Sequence, residues 1–126
     1  MRALEPLRGI RVVARPEAID AATVPADAVV LRFAPDEAFV VGAGPVDLDD
    51  THAIVVDDVG FSAARVSWAD YDEHVAPLIE WPLPNERPAL AQGLVAAVPA
   101  KLWITRDDVL LICPSAYADD LAERLR

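Results

Sequence analysis

Aspartates are the most concentrated chemistry-bearing side chains of this sequence. Five of them lie within the stretch 47–58: Asp47, Asp49, Asp50, Asp57 and Asp58. Carboxylates that converge within a few ångströms bind hard cations or exchange protons with a substrate. Their spacing fits no calcium-binding loop, because the glycine and the closing bidentate glutamate of such a loop have no counterpart here. The pattern therefore favours a solvated acidic surface, and we expect no bound metal.

The histidines and the cysteine do not form a recognisable catalytic set. His52 and His74 are far apart in the sequence, so neither a metal site nor a catalytic triad follows from them. Cys113 precedes Pro114 and a predicted helix start, a position that can make a thiol nucleophilic. Its apolar neighbours, residues 110–112, favour an inert core thiol instead. We assign no catalytic residue.

A short glycine motif interrupts the first half of the chain. Residues 40–44 begin like a dinucleotide-binding fingerprint, since a β-rich run leads into Gly42 and Gly44. The third glycine position holds Asp47, and no helix is predicted after it to present its N-terminus to a pyrophosphate. The motif therefore indicates a plain turn.

Composition restricts the size, the compartment and the partners of the protein. The chain has 126 residues, typical of one domain, and we predict a single domain over residues 1–126. Its formal net charge of -10 repels phosphate backbones and anionic lipids, so we expect neither nucleic acid nor a membrane surface as a partner. A single cysteine and the arginines among the first residues, which leave no apolar signal segment, indicate the cytoplasm.

The first half of the chain is predicted to be mostly strand. Residues 1–27 form an N-terminal arm with one short strand and a helical turn that begins at Pro16. Residues 29–33 and 38–41 read as a hairpin, and an Asp- and Gly-rich stretch, residues 44–51, as a solvated loop. Two further strands, 52–56 and 61–66, are predicted on either side of a turn at residues 57–60.

The second half is predicted to alternate helices with strands. Ser67 caps a helix at residues 69–80, whose buried face comprises Tyr71, Val75, Leu78 and Ile79. Three strands follow at residues 94–98, 101–106 and 109–113, and Ser115 then caps a helix at residues 116–125. The predicted fold class is α+β, a mostly antiparallel sheet with two or three helices packed on it.

A proline-rich apolar loop separates the predicted helix from the last strands. It consists of Trp81, Pro82, Leu83 and Pro84. If this loop projects from the sheet, it suits burial against another protein or a second copy of this chain. In the alternative, it folds back over the core. The sequence leaves both arrangements open.

Three segments resemble the gamma subunit of heterotetrameric sarcosine oxidase. Residues 31–42, LRFAPDEAFVVG, resemble its L-x-P-D-E-W-L-V stretch. Residues 65–70, RVSWAD, are similar to the R-V-S-G-x-D-A junction that it shares with the folate-binding fold of the glycine-cleavage aminomethyltransferases, with Trp68 in place of the glycine. The end of the chain, residues 108–125, is similar to its closing strand and R-S-Y-A-x-x-L helix. The resemblance covers residues 28–126.

The resemblance implies the aminomethyltransferase-like fold and a non-catalytic accessory role in one-carbon metabolism. In such oxidases the flavin and NAD chemistry belongs to larger subunits, so the expected partner is a protein chain or a second copy. The alternative is a small module that binds a folate-like carrier such as tetrahydrofolate. The cationic groups facing its glutamate tail would be Arg32, Arg65, Lys101 or Arg106. An independent one-carbon enzyme is a third reading, for which we find no nucleophile paired with a base.

Overall fold

Seven strands and a few short helices make up the computed structural model, which describes residues 3–42 and 44–126. Met1 and Arg2 of the predicted arm, and Ala43 of the glycine motif, lie outside the described residues. The strand pairings are antiparallel, which confirms the α+β class. The chain groups into two compact units, Leu7–Val59 and Gly60–Arg126, the latter together with the residues up to Pro6.

The unit Leu7–Val59 is built on a predicted hairpin. Its elements are β1 (Glu5–Val13, most of which belongs to this unit), α1 (Pro16–Asp20), β2 (Val29–Ala34) and β3 (Glu37–Val41). The strand order is β2-β3-β1, and Pro35 and Asp36 form the turn between β2 and β3 as predicted. Proline at the first position of α1 also confirms the predicted helical turn. A small apolar core includes Val12, Ala14, Ala18, Ile19, Ala38 and Val40.

Hydrogen bonds to other parts of its unit hold the loop that follows β3. The carboxylate of Asp50 accepts hydrogen bonds from the backbone N–H groups of Arg15, at 3.0 Å, and His52, at 2.9 Å. These two bonds lower the pKa of Asp50, since they stabilise its charged form. Thr23 and Asp47 form an isolated antiparallel bridge. The prediction of a simply solvated loop is therefore wrong for Asp50, whose side chain is only 7% exposed.

One long strand, β4 (Ile54–Ser67), replaces the two short strands of the prediction. The predicted turn at residues 57–60 is wrong, because these residues continue the strand. β-Branched residues precede the two aspartates and Val59 follows them, and their preference for extended backbone outweighs the turn preference of Asp and Gly. The boundary between the two units, after Val59, lies within this strand.

The unit Gly60–Arg126 pairs the second half of β4 with three further strands. They are β5 (Ala89–Val95), β6 (Val98–Ile104) and β7 (Asp108–Pro114), in the order β4-β7-β6-β5. The predicted strand at residues 94–98 is wrong, since Ala96 and Ala97 form a tight turn with positive φ angles of 50° and 67°. A run of apolar residues without Gly or Asn carries no signal for such a turn.

Contacts from outside the hairpin hold the Ala96–Ala97 turn. The N–H of Ala96 donates to the carbonyl of Leu78 at 3.0 Å. The guanidinium of Arg124 donates to the carbonyl of Ala96 at 2.7 Å. Tertiary contacts thus fix a backbone conformation that alanine adopts reluctantly.

The helical segment after β4 begins where predicted and then changes type. The Ser67 hydroxyl accepts from the N–H of Asp70 at 3.1 Å, which confirms the predicted cap of α2 (Trp68–Asp70). The chain continues as a π-helical turn, Tyr71–Val75, and a 3-10 turn, Ala76–Leu78. The predicted regular helix to residue 80 is wrong, because Pro77 has no N–H for the helical ladder. Tyr71 and Val75 are buried as predicted, whereas Leu78 is exposed.

The last helix is shorter than predicted and is not capped by Ser115. A 3-10 turn, Ser115–Tyr117, leads into α3 (Ala118–Arg124). The Ser115 hydroxyl shares a hydrogen bond of 2.9 Å with the hydroxyl of Ser62 instead of capping the helix. Ala118, Leu121 and Leu125 pack into the core of this unit, which also includes Val66, Val75, Val95, Leu102, Ile104, Val109, Leu111 and Cys113.

Candidate functional site

Trp81 lies against its own unit, as in the fold-back alternative. Its indole N–H donates to the carbonyl of Leu94 at 2.9 Å. The ring covers Gly93, where an added Cβ would come within 2.5 Å of the indole. Leu83 also packs against the core, whereas Pro82 is exposed. Two side chains of the loop, Trp81 and Leu83, are therefore packed against their own unit, whereas Pro82 remains exposed.

An open groove remains beside Trp81. It has a volume of about 400 Å³ and is lined by Pro77, Leu78, Glu80, Trp81, Leu94, Ala96 and Ala97. We call it the Trp81 groove. Its walls come from the end of the helical segment, the indole and the Ala96–Ala97 turn, and Glu80 is the charged residue among them. Such a lining suits an apolar side chain.

Trp68, which stands where the motif that residues 65–70 resemble has a glycine, is a packing residue. Its indole N–H donates to the carbonyl of Thr105 at 3.1 Å. The ring meets Tyr71 edge to face at 5.3 Å, and the Arg87 guanidinium lies 5.2 Å from its centroid. Burial raises the pKa of Tyr71, because the phenolate would lose its hydration. These contacts fasten α2 to the β6–β7 turn.

Arg32 is engaged inside its own unit. Its guanidinium lies 2.7 Å from the Asp20 carboxylate and donates to the carbonyl of Pro35 at 2.6 Å. It also donates to the carbonyls of Pro16 and Ala34. A glutamate tail would have to displace this set, which makes Arg32 a poor candidate for the predicted folate contact.

The other three predicted folate contacts lie in the unit Gly60–Arg126. Arg65 pairs with Asp108 at 3.2 Å, and Lys101 donates to Gln92 at 2.8 Å. Arg106 is exposed in the turn between β6 and β7. Both arginines have an exposed ion pair, worth about 1 kcal/mol or less, but Arg32 also donates to three backbone carbonyls, so Arg65 is easier to recruit.

Other chemistry-bearing side chains lie in three places: Cys113 in the core, the surface cluster of Asp70, Glu73 and His74, and an open pocket of about 370 Å³ whose lining includes Arg15, Asp36, Asp50 and His52. Cys113 is buried and its pKa is raised by desolvation, so the thiol stays protonated at neutral pH, in line with the predicted inert thiol. Asp70, Glu73 and His74 each place a ligand atom within 4.8 Å of the others, close enough to hold a metal ion. Exposed acidic groups of this kind are common without one. The expectation of no metal stays a prediction.

An apolar surface that the sequence analysis missed lies at the start of β4. Ile54, Val55, Val56 and Val59 are 54%, 40%, 48% and 60% exposed. We call residues 54–59 the exposed β4 segment. Three consecutive β-branched residues, 54–56, indicate a strand at this position. The predicted turn at residues 57–60 ended that strand too early, so its exposed apolar side chains were not recognised as one surface.

Comparison with protein-family models, curated proteins and solved structures gives no match. The resemblance to the sarcosine oxidase gamma subunit therefore rests on the sequence motifs. In the part of the chain that the structure describes, no helix has the length and apolar character needed to cross a membrane.

Proposed function

We propose that this chain is a non-catalytic accessory subunit that acts through protein–protein contacts in one-carbon metabolism. The family implied by the motifs is the gamma subunit of sarcosine oxidase, with an aminomethyltransferase-like fold. The observation that carries the proposal is the Trp81 groove, an apolar surface at the predicted interface loop. The loop itself is half-buried, so the contact would be made by the groove rather than by a projecting Trp81.

Hydrogen bonds within the chain hold the walls of the groove. Trp81 is held by the carbonyl of Leu94, and the Ala96–Ala97 turn by Leu78 and Arg124. A preorganised surface loses little conformational entropy on binding, which favours association. These hydrogen bonds support a docking role for the groove.

The partner that fits this groove presents an apolar side chain within a basic surface. The apolar side chain would fill the space between Leu78 and Trp81. Basic residues around it would complement Glu80 and the overall charge of -10. The resemblance points to a folate-fold domain of a larger oxidase subunit as the chain that carries this surface.

Reconstitution tests the proposal with the larger subunits of a heterotetrameric sarcosine oxidase prepared without their gamma subunit. We expect the wild-type chain to co-elute with them in size-exclusion chromatography with light scattering. Leu78→Asp should weaken this association at least tenfold, because Leu78 is 37% exposed and lines the groove. Tyr117→Asp is the matched control, since Tyr117 is also exposed in this unit but lies outside the groove.

Two results would contradict the proposal. If the wild-type chain elutes separately from the larger subunits, the accessory role in such an assembly is wrong. If Leu78→Asp and Tyr117→Asp both associate like the wild type, the Trp81 groove does not make the contact. Far-ultraviolet circular dichroism of both variants separates lost binding from lost folding.

A further inference from the structure

A wide pocket of the unit Leu7–Val59 lies across three neighbouring strands. It has a volume of about 540 Å³ and is lined by Arg8 and Ile10 of β1, by the end of β3, and by Asp57 and Val59 of the exposed β4 segment. In the sheet, β1 lies between β3 and β4. Residues two apart in a strand lie on the same face, so β1 and β4 each contribute one charged and one apolar side chain. We call it the Arg8 pocket.

Arg8 differs from the other arginines of this unit. Each of the other three has a carboxylate partner: Arg11 pairs with Glu37, Arg15 with Asp50 and Arg32 with Asp20. Within the described residues the side chain of Arg8 forms no hydrogen bond or ion pair, although residues 7–59 contain ten acidic residues and four arginines. The same holds for the side chain of Asp57. Two opposite charges thus line one pocket without pairing with each other.

Three glycines complete the lining, and the floor is apolar. Gly9, Gly42 and Gly44 have no side chain, so the pocket stays open on their side. Gly42 and Gly44 have φ angles of 130° and 126°, a backbone conformation that favours glycine. Ile10 packs against the core of this unit, and Val59 is largely exposed. The pocket therefore offers apolar surface between its two charges.

The charges and the floor identify the class of ligand. A simple anion would be attracted by Arg8 and repelled by Asp57, and a simple cation would experience the reverse. A molecule with both charges satisfies both side chains, and a guanidinium can bind a carboxylate through two parallel N–H donors. The volume and the apolar floor suit a ligand that also has an apolar body, as is usual for small-molecule sites.

We propose that the Arg8 pocket binds a small zwitterion with an apolar body, of the class of the large apolar amino acids. In this complex Arg8 binds the carboxylate, Asp57 binds the ammonium group, and Ile10 and Val59 contact the apolar body. The inference goes beyond the proposed function and does not rest on it, because the Trp81 groove belongs to the other unit.

Titration of the full chain with four small molecules, followed by heteronuclear NMR, tests this proposal. Phenylalanine carries all three features, whereas phenylpropanoate lacks the ammonium group, phenethylamine lacks the carboxylate and glycine lacks the apolar body. We expect phenylalanine to bind with a dissociation constant in the millimolar range or below, and each of the other three to bind at least tenfold more weakly. The amide signals of Gly9, Gly42 and Gly44 should shift as phenylalanine is added.

Variants that remove one charge assign the two ends of the ligand. Asp57→Asn should bind phenylalanine and phenylpropanoate with similar affinity, and Arg8→Gln should bind phenylalanine and phenethylamine with similar affinity. Both side chains are exposed, so the substitutions leave the core intact. Arg11→Gln is the matched control and should bind like the wild type, because Arg11 lies three residues along β1, on its other face.

Three results would overturn the proposal. They are the absence of phenylalanine binding at millimolar concentrations, equal binding of phenylalanine and phenylpropanoate by the wild type, and phenylalanine binding that Arg8→Gln leaves unchanged. Leu78→Asp should bind phenylalanine like the wild type. The ligand titration and the reconstitution with larger subunits can thus fail independently of each other.

Discussion

At the scale of single residues, Trp81 has a structural role that the sequence alone leaves open. Its indole is hydrogen bonded to Leu94 and covers Gly93. Truncation of Trp81 therefore removes core packing as well as any partner contact. A loss of association in Trp81→Ala would consequently be ambiguous, and Leu78→Asp is the cleaner test of the groove.

The close contact between Trp81 and Gly93 gives a prediction about stability. Gly93→Ala should lower the free energy of unfolding by about 1–3 kcal/mol, because its Cβ would overlap the indole ring. In a Trp81→Ala background the same substitution should cost clearly less. Urea denaturation of the two single variants and the double variant measures this coupling. Additive effects would contradict the contact.

Asp50 gives a prediction about pH. Its folded-state pKa lies below the ordinary value of 3.8, since the N–H groups of Arg15 and His52 stabilise the carboxylate. Its contribution to stability is therefore complete above about pH 5 and is lost as the pH falls through the lowered pKa. Asp50→Asn should be less stable than the wild type at pH 6, and this difference should shrink towards pH 3. Thermal unfolding across this range measures it, and a constant difference would exclude ionisation as the cause.

At the scale of elements, the Ala96–Ala97 turn holds two alanines at positive φ. Left-handed backbone costs a non-glycine residue about 1–2 kcal/mol, and glycine avoids most of this cost. The added flexibility of the unfolded chain offsets part of the gain. We therefore expect Ala97→Gly to raise the free energy of unfolding by about 0.5–1 kcal/mol in urea denaturation. Gln92→Gly, within β5, is the contrasting control and should be destabilising.

The same turn shows which elements sequence patterns can predict. The β2–β3 hairpin was predicted because Pro35 and Asp36 are strong turn residues between β-rich runs. The turn at Ala96–Ala97 was not, because contacts with Leu78 and Arg124, remote in sequence, hold it. The turn predicted within β4 is wrong although its residues have strong local turn preferences. Asp57 and Asp58 lie in an extended strand, whose formation outweighs those preferences.

The candidate site, too, was predictable only where its features are local in sequence. The apolar composition of Trp81–Pro84 marked the right region of the chain, but composition does not determine which side chains fold inwards. The groove requires Pro77 and the Ala96–Ala97 turn to meet beside Trp81, a tertiary arrangement with no local signature. The cap at Ser67 was predictable from spacing, whereas the Ser62–Ser115 hydrogen bond was not.

At the scale of the whole molecule, the positions of the basic residues bear on the folate alternative. Arg32 and Arg65 already have acidic partners, and the chain carries ten more acidic than basic residues. We therefore expect tetrahydrofolate to leave the thermal unfolding midpoint unchanged. A rise of several degrees that Arg65→Ala abolishes, while Arg11→Ala preserves it, would instead favour the ligand-binding module. Arg11 is the control because it pairs with Glu37, also at the surface.

The burial of Cys113 has a practical consequence for spectroscopy. A buried thiol with a raised pKa reacts slowly with maleimides, which attack the thiolate. Val59→Cys would place a second, accessible thiol on β4, since Val59 is among the most exposed apolar residues. A fluorophore or spin label can thus be attached selectively at that position while the native cysteine remains in place.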